Sequence, residues 1–130
     1  VTLESITDWL RAHPDQAPGI MDRNESYVFF RLVQGDGPIG AQGVPLTPGR
    51  SLAVDRRFLP LGVPIWLETT DPLDAQPLRR LVIAQDTGGA ITGPVRADLF
   101  WGAGAEARAH AGRMKQKGRY FILLPKHFGS

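Results

Sequence analysis

The sequence predicts a mainly β fold, a small barrel or sandwich of about six short strands that also carries helices. Apolar runs follow one another at close spacing, at residues 27–32, 51–54, 63–68, 79–84, 95–100 and 119–124. Fifteen Gly and eleven Pro among 130 residues supply the turns between them. Helical patterns occur only at the start of the chain and before the last run.

Three helical segments are predicted around these strands. The first begins at Thr2, ends at His13, and has its apolar side chains on one face (Leu3, Ile6, Trp9 and Leu10). A second helical turn is predicted over 15–23. The third helix covers 103–117, with Glu106 near its start and Gly118 just beyond its end. Residues 1–24 are therefore predicted to form a helical segment that packs on a β domain over 25–130.

Composition excludes several classes of function. The net charge of +2 does not call for a nucleic-acid partner, and the basic residues at 113–119 suit the end of a helix. The lack of cysteine excludes thiol catalysis and cysteine-ligated zinc. The three histidines have no metal-ligand spacing, so neither a metal nor a cofactor is predicted. No apolar stretch approaches the roughly 20 residues of a membrane span, and any targeting signal would lie upstream of Val1.

Asp86 and Asp98 are the candidate catalytic residues. Enzymes that cut glycosidic bonds need a carboxylic acid that holds a proton near neutral pH. Asp86 ends one apolar run and Asp98 lies in the next, and the Gly-rich turn between them is expected to bring the two strands side by side. Two adjacent carboxylates resist joint ionisation. The alternative, left open, is that Asp86 caps the turn and Asp98 pairs with Arg96 on an exposed face.

Other residues allow more than one interpretation. Asp55 is a third acid at a strand end, and a salt bridge to Arg56 or Arg57 is its alternative role. The string 86–88 also matches the signature of a homodimeric aspartic protease, which the N-terminal helix and the second glycine of the turn disfavour. Trp66 and Trp101 are candidates for stacking on sugars. Core packing is the favoured interpretation for Trp66, and both interpretations stay open for Trp101.

Four segments in order carry a resemblance to a known family: residues 43–55, 59–64, 84–93 and 96–102. They resemble the three-aspartate domain as it occurs in the family of membrane-bound lytic transglycosylase A, over almost the whole chain. The resemblance implies a six-stranded double-psi β-barrel with N-terminal helices and one helix before the last strand. The three aspartates of the domain correspond to Asp55, Asp86 and Asp98.

The resemblance also implies a reaction. Members cleave the β-1,4 bond between N-acetylmuramic acid and N-acetylglucosamine in peptidoglycan and leave 1,6-anhydromuramoyl ends. Asp98 corresponds to the residue that acts as general acid and then as base, with Asp86 as its partner and Asp55 as support. The positions expected to bind substrate are Gln42, Gly43, Val44, Gly88, Gly89, Ala90 and Trp101.

Family members are longer two-domain enzymes, so we expect this chain to be the C-terminal portion of a monomeric enzyme. Its partners would be peptidoglycan strands and the missing N-terminal part with its inserted domain. The expected location is the periplasmic face of a bacterial envelope, with an outer-membrane lipid anchor upstream. The alternatives are a catalytically inactive glycan-binding barrel and a water-using glycoside hydrolase of the same fold.

Overall fold

The computed structural model of the chain describes residues 2–26, 29, 32–33, 35 and 37–126. The chain divides into two compact units, Val1–Leu32 and Val33–Ser130. The first contains helices α1 (Leu3–Ala12) and α2 (Ala17–Met21). The second contains five strands and one helix: β1 (Ser51–Val54), β2 (Pro64–Thr70), β3 (Pro77–Asp86), β4 (Ala97–Leu99), α3 (Gly104–Arg113) and β5 (Arg119–Ile122).

The predicted ends of helix α1 are confirmed. At its start, Oγ1 of Thr2 accepts a hydrogen bond from the Ser5 amide at 3.1 Å, and Oγ of Ser5 accepts one from the Thr2 amide at 2.9 Å. At its end, the amide of His13 donates to the carbonyl of Trp9. The two helices of this unit line an apolar groove of about 650 Å³.

The mainly β prediction is confirmed for the second unit. Its strands form one sheet in the order β4-β1-β3-β2-β5, in which β1 and β3 are parallel and the other pairs are antiparallel. The sheet is open, because within the described residues its two edge strands, β4 and β5, do not pair with each other. The predicted strand at 27–32 falls largely outside those residues, so five of the six predicted strands are seen.

The core lies on one face of this sheet. Leu52, Val54, Ile65 and Val82 are at most 1% exposed, and burying a side chain of this size contributes roughly 1.5–3 kcal/mol. Side chains alternate along a strand, so in β1 the large Leu52 and Val54 point to the core. Ser51 and Ala53 point to the opposite face, where their small side chains leave space.

The predicted pairing of the two strands that carry Asp86 and Asp98 is wrong. Strand β1 lies between β3 and β4, and Ala53 is the backbone partner of both aspartates. Loop 87–96 does not form a hairpin but crosses to the far side of β1. A β-bulge between Leu52 and Ala53 shifts the register of β1 against β3.

The predicted helix over 103–117 is too long, since α3 ends at Arg113. Met114 has an extended backbone and packs against the core, which stops the helix early. Gly118 therefore does not close the helix. It approaches the backbone of Glu68 so closely that a Cβ atom would lie 2.8 Å from that carbonyl oxygen. Among the described helices, none has the length and apolar character needed to span a membrane.

Candidate active site

A pocket of about 170 Å³ lies on the sheet face opposite the core. It is lined by Leu46, Ser51, Ala53, Asp86, Asp98, Leu99 and Phe100. Because Ala53 pairs with Asp86 on one side and Asp98 on the other, the Cα atoms of the two aspartates are two strand spacings apart, roughly 10 Å. The pocket therefore joins Asp86 and Asp98 across the small side chain of Ala53. Asp55 does not line it.

Asp98 is accessible and paired. Nη2 of Arg96 lies 3.0 Å from its Oδ1 and 3.3 Å from its Oδ2. The side chains of Arg96 and Asp98 are 54% and 50% exposed. The alternative that the sequence left open, an ion pair on an exposed face, is thus what the structure shows. The same carboxyl group lines the pocket, so it is also placed to meet a ligand.

Asp86 holds a distant turn against the pocket. Its Oδ1 accepts a hydrogen bond from the amide of Ala41 at 2.9 Å, and the amide of Gln42 donates to the carbonyl of Gln85 at 3.0 Å. Gly40 permits this approach, because a Cβ atom there would lie 2.5 Å from that same carbonyl oxygen. The proposed capping of the Gly-rich turn by Asp86 is not found. Asp86 instead anchors the segment 40–44.

Asp55 is a buried structural carboxylate. It accepts hydrogen bonds from the side chain of Arg57, the shortest at 2.6 Å, from the Arg57 amide at 3.0 Å, and from the Gly93 amide at 2.8 Å. The Arg57 side chain, together with the Gly93 and Arg57 amides, holds the pKa of Asp55 well below its usual range. The expected salt bridge is therefore formed with Arg57, not Arg56. Asp55 is ionised near neutral pH.

Loop 87–96, which leads into β4, is attached at two neighbouring points. Asp55 accepts a hydrogen bond from the amide of Gly93, and the hydroxyl of Tyr120 in β5 donates to the carbonyl of Pro94. Burial raises the pKa of the Tyr120 hydroxyl, which keeps it a donor. Both attachments lie just before Arg96 and Asp98. These two hydrogen bonds fix the start of strand β4 and therefore the position of Asp98.

Six of the seven predicted substrate-binding positions lie in two segments. Gln42, Gly43 and Val44 belong to the turn that Asp86 anchors. Gly88, Gly89 and Ala90 lie exposed in loop 87–96, directly after Asp86. None of these six residues lines the pocket itself, so they can contact only the part of a ligand that extends beyond it.

The two tryptophans considered for sugar stacking, Trp66 and Trp101, lie on opposite faces of the sheet. Trp101 packs against the core, its Nε1 atom donates to the sulfur of Met114 at 3.3 Å, and its ring stacks on His110 at 4.4 Å. It does not reach the pocket. Core packing was the expectation for Trp66, and that is wrong. Its side chain is 37% exposed and lies between Leu81 and Phe121 on the face opposite the core.

Five of the seven residues that line the pocket are not identified as site residues from the sequence, and two of them, Ser51 and Ala53, shape the space between the aspartates. Ser51 is fully buried, accepts a hydrogen bond from the Thr47 amide at 2.8 Å, and donates to Oε1 of Gln85 at 2.6 Å. Ala53 separates the two aspartates. The signal was present in the alternation of small and large residues over 51–54, which indicates a strand with space on one face. Across the described part of the chain, no group of three or more His, Asp or Glu side chains could hold a metal ion.

The chain matches two family models. The family model of the 3D domain matches residues 50–124, and the model of the MltA specific insert domain matches residues 1–31. The first match spans more than half of the chain and includes Asp55, Asp86 and Asp98. The chain belongs to the 3D-domain family, in the form in which that domain occurs in lytic transglycosylases of the MltA type.

Individual relatives support the same assignment. The membrane-bound lytic murein transglycosylase A of Vibrio cholerae is 36% identical over 95% of this chain and 35% of its own length. Among solved structures, the lytic transglycosylase LtgG of Burkholderia pseudomallei is 53% identical, with a TM-score of 0.71 over 96% of this chain and 38% of that one. MltA from Neisseria gonorrhoeae is 42% identical, with a TM-score of 0.87 over 95% and 32%.

A further structure, Escherichia coli MltA with bound chitohexaose, is 31% identical, with a TM-score of 0.79 over 93% of this chain and 38% of that one. This chain thus spans about a third of the length of the proteins that it matches.

Proposed function

We propose that this chain is part of a peptidoglycan lytic transglycosylase, and that Asp98 is its general acid and then its base. The observation that carries the proposal is the pocket itself. It presents an accessible carboxyl group, Asp98, beside a second one, Asp86, with only Ala53 between them. Membership of the 3D-domain family, and relatives that are named lytic murein transglycosylases, support this substrate class.

The proposed reaction uses one carboxyl group twice. Protonated Asp98 donates its proton to the glycosidic oxygen as the bond from C1 of N-acetylmuramic acid breaks. The C6 hydroxyl of the same sugar then attacks C1, and the ionised Asp98 accepts the hydroxyl proton. The product is a 1,6-anhydro ring, and Asp98 regains its proton. Since the nucleophile belongs to the substrate, orientation of the sugar replaces a bound water.

Asp86 is proposed to stabilise the positive charge that develops at C1. Its Oδ1 is held by the amide of Ala41, while its Oδ2 has no hydrogen-bond partner among the described residues. A carboxylate fixed in this way costs little to reorganise when the charge appears. Asp55 supports the site from a distance, because its carboxylate holds the amide of Gly93 and with it the loop that leads to Asp98.

The pocket suits one unit of a longer glycan. Its volume of about 170 Å³ is below the roughly 300–1,000 Å³ that encloses a drug-sized ligand. The neighbouring sugars would extend past the turn at 42–44 and the loop at 88–90. The rest of the groove is proposed to come from a part of the protein outside this chain. We also propose that the sheet belongs to a six-stranded double-psi barrel and that the enzyme acts at the bacterial envelope.

The test is digestion of purified peptidoglycan by the full-length protein that contains this chain, with products identified by mass spectrometry. We expect 1,6-anhydromuramoyl ends, and a loss of roughly 10²–10⁴-fold in rate for Asp98→Asn with the fold intact. Asp74→Asn is the matched control. Asp74 is an exposed carboxylate, and its one hydrogen bond among the described residues is from the amide of Gln76.

Other products would replace the proposal. Reducing ends would identify a water-using hydrolase, and intact glycan that stays bound would identify a glycan-binding module. Peptide cleavage sensitive to pepstatin would identify an aspartic protease. Unchanged activity of Asp98→Asn would remove Asp98 from its proposed role, whichever product forms.

A further inference from the structure

Arg96 lies beside the proposed acid with most of its hydrogen-bonding capacity unused. Only its Nη2 atom contacts Asp98, at 3.0 Å and 3.3 Å from the two carboxyl oxygens. A guanidinium group has five N–H donors, and Arg96 has no other hydrogen-bond partner among the residues that the structure places. Its side chain is 54% exposed. The remaining donors are therefore available to a ligand at the rim of the pocket.

This ion pair conflicts with the chemistry proposed for Asp98. A general acid carries its proton on one carboxyl oxygen, and that oxygen must reach the glycosidic oxygen. Arg96 is only a donor, and it contacts both oxygens of Asp98. At least one oxygen of Asp98 must therefore lose its contact with Arg96 before that oxygen can carry the proton. An exposed ion pair is worth about 1 kcal/mol or less, so another anion can take the place of Asp98.

We infer that Arg96 is a specificity-determining residue, which binds a carboxylate of the substrate and thereby releases Asp98. The inference rests on the proposed function. N-acetylmuramic acid carries a lactyl group on C3, and the carboxyl of this group is free in strands without peptides. In strands with stem peptides the lactyl carboxyl is an amide, and the peptide supplies the carboxylates. Either source presents the planar anion that a guanidinium group binds with two parallel hydrogen bonds.

The charges around the pocket direct such a carboxylate to Arg96. Asp86 lines the same pocket, and its carboxyl group repels the carboxylate of the substrate. Arg57 is already held by the buried carboxylate of Asp55. Once Arg96 has moved to the substrate, Asp98 takes its proton from solvent and passes it to the glycosidic oxygen. A chain built only of N-acetylglucosamine has no carboxylate and leaves the Arg96–Asp98 pair in place.

The test measures the affinity of the full-length protein that contains this chain for three soluble ligands by NMR titration. These are N-acetylmuramic acid, its lactyl carboxamide, and a muramoyl dipeptide with a free terminal carboxylate. Arg96→Gln should weaken binding of N-acetylmuramic acid roughly two- to fivefold, as expected for loss of one exposed charged contact. It should leave binding of the carboxamide unchanged. Arg96→Lys should restore part of the loss, since it restores the charge.

Arg56→Gln is the control, because Arg56 is an exposed neighbour of Arg57 outside the pocket, and it should change no affinity. If Arg96→Gln also weakens binding of the dipeptide, the stem peptide is a second source of the carboxylate that Arg96 binds. If the affinity for the dipeptide is unchanged, Arg96 binds the lactyl carboxylate alone. The inference is overturned if the acid and the carboxamide lose affinity equally, if neither does, or if the unmodified full-length protein binds no acid sugar.

Failure of this inference is distinguishable from failure of the proposed function. If digestion yields anhydro ends while Arg96→Gln keeps the affinity for the acid sugar, only the role of Arg96 is wrong. If Arg96→Gln discriminates acid from carboxamide while no anhydro ends form, carboxylate recognition stands and the transglycosylase proposal is wrong.

Discussion

Asp55 shows how far single residues can be understood from sequence. Its position at a strand end next to two arginines predicts an ion pair, and the structure contains one. The choice of Arg57 follows from local geometry, because the same residue also donates its amide to Asp55. The bond from Gly93, 38 residues further along the chain, could not be predicted. It depends on which loop the fold brings back to Asp55.

Protonation of Asp55 should destabilise the fold. Its pKa in the folded state lies below the ordinary value of about 3.9, so its contribution to stability is complete above that value and is lost as the pH falls below it. We expect the melting temperature to fall more steeply between pH 5 and pH 2 in the unmodified chain than in Asp55→Asn, as measured by circular dichroism. Asp74→Asn should keep the original pH dependence. Parallel curves for Asp55→Asn and the unmodified chain would contradict this account.

Ala53 is the residue whose size keeps the pocket open. Ala53→Leu would place a larger side chain between Asp86 and Asp98, in space that the pocket provides. We expect the proposed ligand, tested as a soluble peptidoglycan fragment, to bind the full-length protein at least about tenfold more weakly, as measured by isothermal titration calorimetry. The melting temperature should change by only a few degrees, since the pocket accepts the added atoms.

The control for Ala53→Leu is Val95→Leu, at an exposed position in the loop before β4. It should leave both the affinity and the melting temperature unchanged. Undiminished binding of the peptidoglycan fragment by Ala53→Leu would mean that the glycan binds elsewhere.

At the scale of elements, the sequence is a good guide to which residues form strands and a poor guide to how they pair. Alternation of apolar residues identifies β1, β2, β3 and β5 within a few residues of their bounds. It contains no information on neighbours, because any two such strands can pair. The Gly-rich turn after Asp86 looked like a hairpin. The bonds from Asp55 and Tyr120 instead lead loop 87–96 across β1.

Substitutions at Gly118 and Gly112 test how tightly β2 packs against the last part of the chain. Gly118 lies at this contact, and Gly112 is the control. Gly118→Ala would place Cβ 2.8 Å from the carbonyl oxygen of Glu68 and 3.0 Å from Cβ of Thr69, so we expect a loss of roughly 1–3 kcal/mol in unfolding free energy. Gly112→Ala, in α3, meets nothing within 4 Å and should gain up to about 1 kcal/mol. Urea denaturation measures both, and equal effects would contradict this interpretation.

At the scale of the whole molecule, the two units differ in how they are stabilised. With the exception of Ala17, every buried hydrophobic residue among those described lies in the unit Val33–Ser130. Helices α1 and α2 span 10 and 5 residues, and helices this short are marginal in water without tertiary packing. Two helices precede the strands, as predicted. The boundary at residue 24 and the packing of the helices on a barrel stay predictions.

Hydrogen exchange should separate the two units. We expect the amides of α1 to exchange with opening free energies at least about 2 kcal/mol below those of β1 and the centre of β3, because the helix buries little and the strands bury the core. Native-state exchange followed by NMR measures this difference. Equal protection of α1 and β1 would show that the chain opens as one cooperative unit.

The hydrogen bond between Asp86 and the amide of Ala41 spans 45 residues, and this separation has a consequence for how the protein folds. Contacts between residues far apart in sequence must first overcome the entropy of closing a long loop. Strands β2 and β3 are joined by a short turn, so they can pair earlier during folding. The turn 40–44 would then reach Asp86 only after β2 and β3 have paired, so a newly made chain would complete the surroundings of its pocket late.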